Sequence, residues 1–192
     1  MGKLVYSAIA SLDGYVADEQ GDFGWSVPDA EVHTFVNELE RPIGTYLYGR
    51  RMYEVMKAWE GDEVLTSPGA DEVPYLRDYA EIWRAADKVV YSRSLEEVTT
   101  ARTKLERTFD PDTVQELKGA TDHDISIGGP ELTAQALEAD LVDEVHLFLA
   151  PVSVGAGKPA LSVERKHSLQ LLEHRAFGNG TVYLRYGVDG AR

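Results

Sequence analysis

The stretch that most limits what this chain can fold into runs from Asp124 to Pro151, DISIGGPELTAQALEADLVDEVHLFLAP. Ile125 and Ile127 end a run that fits a buried strand. Gly128 and Gly129 follow at once, and Pro130 suits a first helical residue, where its missing N–H costs nothing. Leu132, Ala136, Leu137 and Leu141 fall near helical spacing and give one apolar face. Val145, Leu147 and Leu149 resume a two-residue period, so a second strand begins. A helix that starts just after two glycines directs unpaired backbone N–H groups at whatever lies above the sheet. That is a ready site for an anion such as a pyrophosphate. The same glycines fit a tight strand-to-helix turn without a ligand equally well. The pattern G-x-G-x-x-G is absent from this stretch, so a Rossmann fold lacks its usual signal.

Charge decides what such a site can meet. The formal net charge is −14 over 192 residues. A surface this acidic repels DNA, RNA and anionic membranes, so no nucleic-acid or membrane partner is expected. A small anion can still bind where the few basic residues gather. The chain has no cysteine, which removes disulfides, thiol catalysis and thiolate metal sites and fits a reducing compartment. No apolar run approaches transmembrane length, and the start lacks the charged-then-apolar pattern of a signal peptide. A cytoplasmic protein with one domain over residues 1–192 is expected.

Along the chain, Leu4 to Ala10 predicts a first, central strand, and Ser11 to Gly24 a loop over the sheet edge. Asp29 suits an N-cap or early helical acid, with Val32, Phe35, Val36 and Leu39 as the buried face and Pro42 as the stop. Thr45 to Tyr48 predicts a strand, Gly49 a turn, and Arg50-Arg51 the opening of a helix. Cations at a helix start oppose its dipole, so helix stability does not explain them, whereas an anionic ligand would. The segment 59–74 reads as a loop, and 74–86 as a helix. Strand 88–91 ends in Ser92-Arg93-Ser94, a third strand end with polar or basic groups. A short strand over 104–107 and a helix over 111–118 lead to the organising stretch. The segment 154–159, VGAGKP, is superficially like a phosphate loop, but its spacing fails and Pro159 stands where Ser or Thr is needed. Two final strands, 167–177 and 181–188, are joined at Asn179-Gly180, a strong hairpin signal.

Four pieces stand in order: SLDGYVA at 11–17, GRRMYE at 49–54, VVYSRS at 89–94 and IGGPEL at 127–132. With the run ALEADLVDEVHLFLAPV they resemble the dihydrofolate reductase-like superfamily, in the bacterial branch related to the C-terminal reductase domain of the riboflavin-biosynthesis deaminase-reductases. The resemblance implies an α/β fold, a three-layer αβα sandwich with a mixed, mostly parallel central sheet. It implies NADPH across the strand ends and hydride transfer to a small heterocyclic or carbonyl substrate of pterin-like or ribosylaminouracil-like class. By resemblance, Gly128 and Gly129, with Glu131 and Leu132 in the same motif, line the cofactor. Gly49, Arg50 and Arg51 hold its phosphates, Ser92 and Arg93 meet the 2′-phosphate, and Ala10 lies near the nicotinamide amide. The segment 12–17 closes over the site. Relatives often pair, and the apolar run Val145 to Val154 offers an edge for a homodimer. Arginines at these positions favour NADP over NAD, whose sites prefer a carboxylate on the ribose.

One departure matters. Folate reductases carry a carboxylate in the helix after the Trp; aligned on Trp25 and Pro28, that position is Ala30. Asp29 and Glu31 flank it, but successive helical residues point about 100° apart. Asp29, Glu31 and, in the first loop, Asp13 are the candidate catalytic acids. Water as proton source, or a purely structural role for these carboxylates, stands beside that reading. Trp25 and Trp59 are candidate walls of a substrate pocket. The five histidines show no ligand spacing, so no metal is expected. The alternative function is a non-catalytic module that binds NADP(H) or a flavin in the same cleft.

Overall fold

The protein is described by a computed structural model over residues 1–61 and 73–191. Its strands are β1 (Leu4–Ser11), β2 (Tyr15–Asp18), β3 (Ile43–Gly49), β4 (Asp87–Tyr91), β5 (Thr103–Glu106), β6 (Asp124–Gly128), β7 (Glu144–Ala150), β8 (Gly157–Pro159), β9 (Leu169–Ala176) and β10 (Val182–Val188). Its helices are α1 (Ala30–Glu40), α2 (Arg50–Met56), α3 (Pro74–Ala85), α4 (Pro111–Ala120) and α5 (Pro130–Glu138). Eight strands form one sheet in the order β5-β4-β3-β6-β1-β7-β10-β9. The first six run parallel, and β10 pairs antiparallel with both β7 and β9.

Strand periodicity splits the core between the two faces. On β3, Leu47 joins Leu4, Tyr6, Ile125 and Ile127 against Val114 of α4 and Leu132, Ala136 and Leu137 of α5. Its neighbours Tyr46 and Tyr48 point the other way, into a cluster with Tyr53 of α2 and Tyr79 and Trp83 of α3. Val32 of α1 covers the same face further along, with Phe148, Phe177 and Tyr183. Helices on both faces of a mostly parallel sheet are the expected three layers. The Asn179-Gly180 turn forms as expected, with Gly180 at φ 88°, a conformation that suits glycine.

Two expectations change. The segment 11–24 is only partly loop, because Tyr15–Asp18 pairs with Gly157–Pro159 in a separate two-stranded ribbon. Those two short strands carry no strong period-two signal, and only the fold brings them together. The run from Val145 cannot offer a free edge: β7 is paired on both sides, by β1 and β10. The far edge is β9, whose residues are all exposed. Most of the expected 59–74 loop lies outside the described residues.

Candidate functional site

Several parallel strands end on one side of the sheet, and their ends carry the cleft. A cavity of about 330 Å³ is lined by Gly49, Arg50 and Arg51 after β3, Ser92 and Arg93 after β4, Arg107 after β5, Gly129, Glu131 and Leu132 after β6, and Lys158 of β8. Five cations and a single carboxylate therefore share one cavity in a chain of net charge −14. Parallel pairing causes the convergence: it puts the C-terminal ends of β3, β4, β5 and β6 side by side.

The cleft is built on loops fixed from below. Gly129 has φ 100° and is the N-cap of α5 without a side-chain cap bond. Among the described residues, the only neighbour a Cβ there would meet is the Cβ of Met52, at 3.8 Å. Gly128 is held differently: a Cβ on it would lie 3.0 Å from Met52 Cγ and from the Tyr48 ring. Arg107 donates to the carbonyls of Ser92 and Leu95, at 3.2 and 2.5 Å, and so pins the turn that presents Arg93. Ser92 Oγ accepts from Leu95 N at 2.9 Å within that turn. Arg93 and Arg51 make no hydrogen bond or ion pair among the described residues, while Arg50 lies 3.8 Å from Glu54. Lys158 donates to Glu131 at 2.9 Å, and that bond holds the Glu131 carboxyl below its ordinary range. Gly49, Arg50, Arg51, Ser92, Arg93, Gly129, Glu131 and Leu132 all line this one cavity, and Gly128 adjoins it at the end of β6.

Strand pairing fixes which way the backbone of Ala10 faces. Ile125 N donates to Lys3 O, and Asp143 N donates to Leu4 O. Peptide groups alternate sides along a strand, so the odd-numbered residues of β1 face β6 and the even ones face β7. Pairing with β6 stops at Tyr6, whereas pairing with β7 continues to Ser11. Ala10 is wholly buried and turns its N–H and C=O to β7. Ile9 is the residue whose backbone faces the gap left where β6 ends. A two-residue period makes a one-place error in alignment a change of side.

A second cavity, about 200 Å³, opens beside that gap and is lined by Ile9, Trp25, Ser26, Val27, Pro28, Val32, Ala150, Pro151, Asn179 and Thr181. Among the described residues its lining has no ionisable side chain. Asp29 and Glu31 are absent from its lining although Pro28 and Val32 are in it. Asp29 caps α1, accepting from Val32 N at 3.0 Å. Glu31 accepts from Gly178 N at 3.0 Å and pairs with Arg175 at 3.2 Å, clamping the β9–β10 turn. Asp13 accepts from Ser153 Oγ, Val154 N and Gly155 N. Hydrogen bonding, from Ser11 first, keeps its carboxyl far below the usual carboxylate range. Asp13 ties the 11–15 turn to 153–155 and stays ionised at neutral pH. Trp25 walls the second cavity, but Trp59 packs against His33 and Tyr79 in the core. Among the described residues no cluster of His, Asp or Glu has the arrangement of a metal site, and no helix is long and apolar enough to cross a membrane.

Arg107 and Lys158 were not expected in the cleft. Arg107 follows a short strand, as the other cleft residues do, and that repeated position was a readable signal. Lys158 sits in the glycine-bearing segment whose spacing fails as a phosphate loop; its route to the cleft is the ribbon pairing of β8 with β2.

Residues 2–183 match the family described as the RibD C-terminal domain. Over 195 residues the chain is 26% identical to the uncharacterized protein YyaP of Bacillus subtilis (strain 168), covering 98% of this chain and 96% of that protein. A Shewanella sp. PV-4 protein provisionally assigned to riboflavin biosynthesis superposes with TM-score 0.74 at 21% identity, over 97% of this chain and 99% of that one. The Thermotoga maritima diaminohydroxyphosphoribosylaminopyrimidine deaminase/5-amino-6-(5-phosphoribosylamino)uracil reductase superposes with TM-score 0.65 at 15% identity, over 97% of this chain and 56% of that one. At these identities the structural likeness establishes the fold.

Proposed function

The chain belongs to the RibD C-terminal domain family, and on that premise we propose that it is an NADPH-dependent reductase of a small heterocyclic or carbonyl compound. The observation that carries this reading is the gathering of Arg50, Arg51, Arg93, Arg107 and Lys158 around one cavity of an acidic protein. That donor set fits a phosphorylated dinucleotide: guanidinium forks match phosphate oxygens, and α5 adds backbone N–H groups behind Gly129. NADPH, when bound, supplies the hydride.

The chain's own residues bind and orient. Arg93, without a hydrogen bond or ion pair among the described residues and on a turn pinned by Arg107, takes the 2′-phosphate, with the Ser92 hydroxyl beside it. Gly49, Arg50 and Arg51 hold the diphosphate, and Gly128, Gly129, Glu131 and Leu132 form its other wall. Ile9, rather than Ala10, offers backbone groups to the nicotinamide amide. The ribbon of β2 and β8, anchored by Asp13, shields the cleft from water. No acid is among the described residues that line the second cavity, so the proton that follows the hydride comes from water. The same lack of an acid supports the second reading, a binding module that keeps the cleft without turnover.

Further parts of the proposal are one domain over 1–192, a cytoplasmic setting, and a homodimer formed through β9. That edge strand has unpaired backbone on one side and exposes Leu169, Leu171 and Leu172, a surface suited to a second copy of itself.

The test is fluorescence titration with NADPH and NADH, followed by absorbance on a substrate panel. Wild type should bind NADPH more tightly, and Arg93→Ala should remove that preference while leaving NADH unchanged. Equal affinity of wild type for the two cofactors would overturn the reading. Binding without turnover on any compound would favour the module.

A further inference from the structure

We propose that Tyr53 is a positioning residue for the dinucleotide: its phenol docks the β4–β5 crossover, which carries Arg93, onto α2, which carries Arg50 and Arg51, and so fixes the spacing of the two phosphate-binding arms. This rests on the reductase reading for its ligand, whereas the docking stands on hydrogen bonds in the structure. Parallel strands need a crossover, and a helix usually makes it and satisfies its own backbone. Between β4 and β5 the crossover, residues 92–102, contains no helix. Side chains from outside it supply the missing partners. At the Arg93 end, Arg107 donates to the carbonyls of Ser92 and Leu95. At the other end, Tyr53 Oη accepts from Thr99 N at 2.9 Å and from Thr100 N at 3.3 Å. Glu60, beyond the end of α2, accepts from the next amide, Ala101 N, at 2.9 Å. Among the described residues, every hydrogen bond between α2 itself and the crossover passes through Tyr53 Oη.

The order of protons in this anchor follows from its last acceptor. The Ala101 carbonyl only accepts, so Thr103 Oγ1 donates to it, at 2.9 Å. Thr103 Oγ1 then accepts from Thr100 Oγ1 at 2.7 Å. With its proton used, Thr100 Oγ1 accepts from Tyr53 Oη at 3.2 Å. Tyr53 therefore donates once and accepts twice, the full capacity of a phenol. Its ring is buried in the cluster with Tyr48, Tyr79 and Trp83, so packing sets where the hydroxyl stands. A phenylalanine would fill the same ring space and leave two amides and the Thr100 hydroxyl without this partner. A ligand with phosphate at both ends gains from arms held at one spacing. Once one end binds, the other meets its arm at a local concentration that falls as the arms drift. Ordering a loose crossover at the moment of binding also subtracts from affinity. A ligand that uses a single arm gains nothing from the spacing.

Calorimetric titration of the full-length protein with NADPH, adenosine 2′-monophosphate and inorganic pyrophosphate tests this. The second ligand probes the Arg93 arm and the third the Arg50–Arg51 arm. Tyr53→Phe keeps the ring packing and the Glu60 bond, and thermal melting checks that it is folded. It should weaken NADPH about tenfold and leave the two small ligands within about twofold of wild type. A merely structural role would move all three alike or none. Thr100→Val, which takes away the acceptor for the Tyr53 proton, should weaken NADPH about threefold, and Thr100→Ser should restore wild-type binding. Tyr53→Phe binding NADPH as wild type does, or weakening all three ligands equally, overturns the proposal. Amide hydrogen exchange reports separately from the cofactor: Thr99 and Thr100 should exchange faster in Tyr53→Phe. If wild type ignores NADPH, the reductase reading falls. The docking claim is then decided by those two amides, and an unchanged exchange rate overturns it.

Discussion

Lys158 Nζ on β8 lies 2.9 Å from Glu131 Oε1 on α5, so a single ion pair ties the two-stranded ribbon to the helix at the mouth of the cationic cavity. The Glu131 side chain is 82% exposed, and an exposed pair of this kind contributes under about 1 kcal/mol. A phosphate can therefore draw Lys158 away cheaply. Lys158→Ala should weaken NADPH about tenfold at low salt and less at high salt, and Glu131→Gln should tighten it about threefold. Fluorescence titration at two ionic strengths checks both; Lys158→Ala binding like wild type at low salt would remove Lys158 from the site.

Gly129 and its neighbour should fail for different reasons. An L-residue at φ 100° strains the backbone, and Gly129→Ala should cost about 1–2 kcal/mol. At Gly128 the added methyl meets Met52 and Tyr48 at 3.0 Å inside a packed face, so Gly128→Ala should cost about 1–3 kcal/mol by overpacking. For a chain of this size each ~1 kcal/mol lowers Tm by about 2–4 °C. Thermal melting of the two variants, each alone and combined with Met52→Ala, separates the causes: the space left at Met52 should relieve part of the Gly128→Ala cost, the Tyr48 contact remaining, and leave Gly129→Ala unrelieved.

Carboxylates that hold structure should be dispensable for chemistry. Asp29→Ala should cost about 1 kcal/mol by loss of the α1 cap, and Asp29→Asn little. Glu31→Gln should loosen the turn at Gly178. On a substrate that the enzyme turns over, kcat for Asp29→Asn, Glu31→Gln and Asp13→Asn should stay within about threefold of wild type if the structural hydrogen bond each carboxylate makes is its whole role. A folded variant that loses turnover would identify the acid and refute the water route.

Glu144 gives the protein an acid limb. Its burial would raise the carboxyl pKa, but hydrogen bonds from Arg185, Lys3 and His146 outweigh it and bring the value to about 2, from an ordinary 4.5. A pKa depressed in the folded state adds stability that is full above the unfolded value. That stability is lost as pH falls through about 2. Denaturant melts across this window should show stability dropping with acid. Glu144→Gln should be less stable near neutrality and should drop less from about pH 5 to pH 2; parallel curves would contradict the assignment.

Pairing through β9 is tested by mass in solution. Wild type should sediment as a dimer, and Leu171→Lys, which puts a charge on the exposed edge, should sediment as a folded monomer. A monomeric wild type at tens of micromolar, about the range where a stable dimer persists, would end this idea.

Local pattern was enough for much of the site. The arginines after β3 stood where helix electrostatics disfavours them, Arg93 stood at a third polar strand end, and the diglycine before Pro130 marked a helix start open to an anion. Local pattern was insufficient wherever two distant segments had to meet. Lys158 reaches the cleft because β8 pairs with β2, a contact between residues more than a hundred positions apart that leaves no trace in either segment. That the Ala10 backbone faces β7 and the Ile9 backbone the gap was invisible for another reason. Which side a peptide group faces depends on where the neighbouring strand stops, and β6 stops early.

By itself, then, the sequence determined the alternation of strands and helices, the acidic surface and the basic strand ends, because propensity, periodicity and charge are properties of neighbouring residues. Tertiary structure alone decided that β7 is interior and β9 the edge, and that Asp13, Asp29 and Glu31 hold turns and a helix start. It also decided that Trp25, rather than Trp59, walls a neutral cavity. Those outcomes follow from strand order and from which side chains the packing leaves a partner, and neither is written in any single segment.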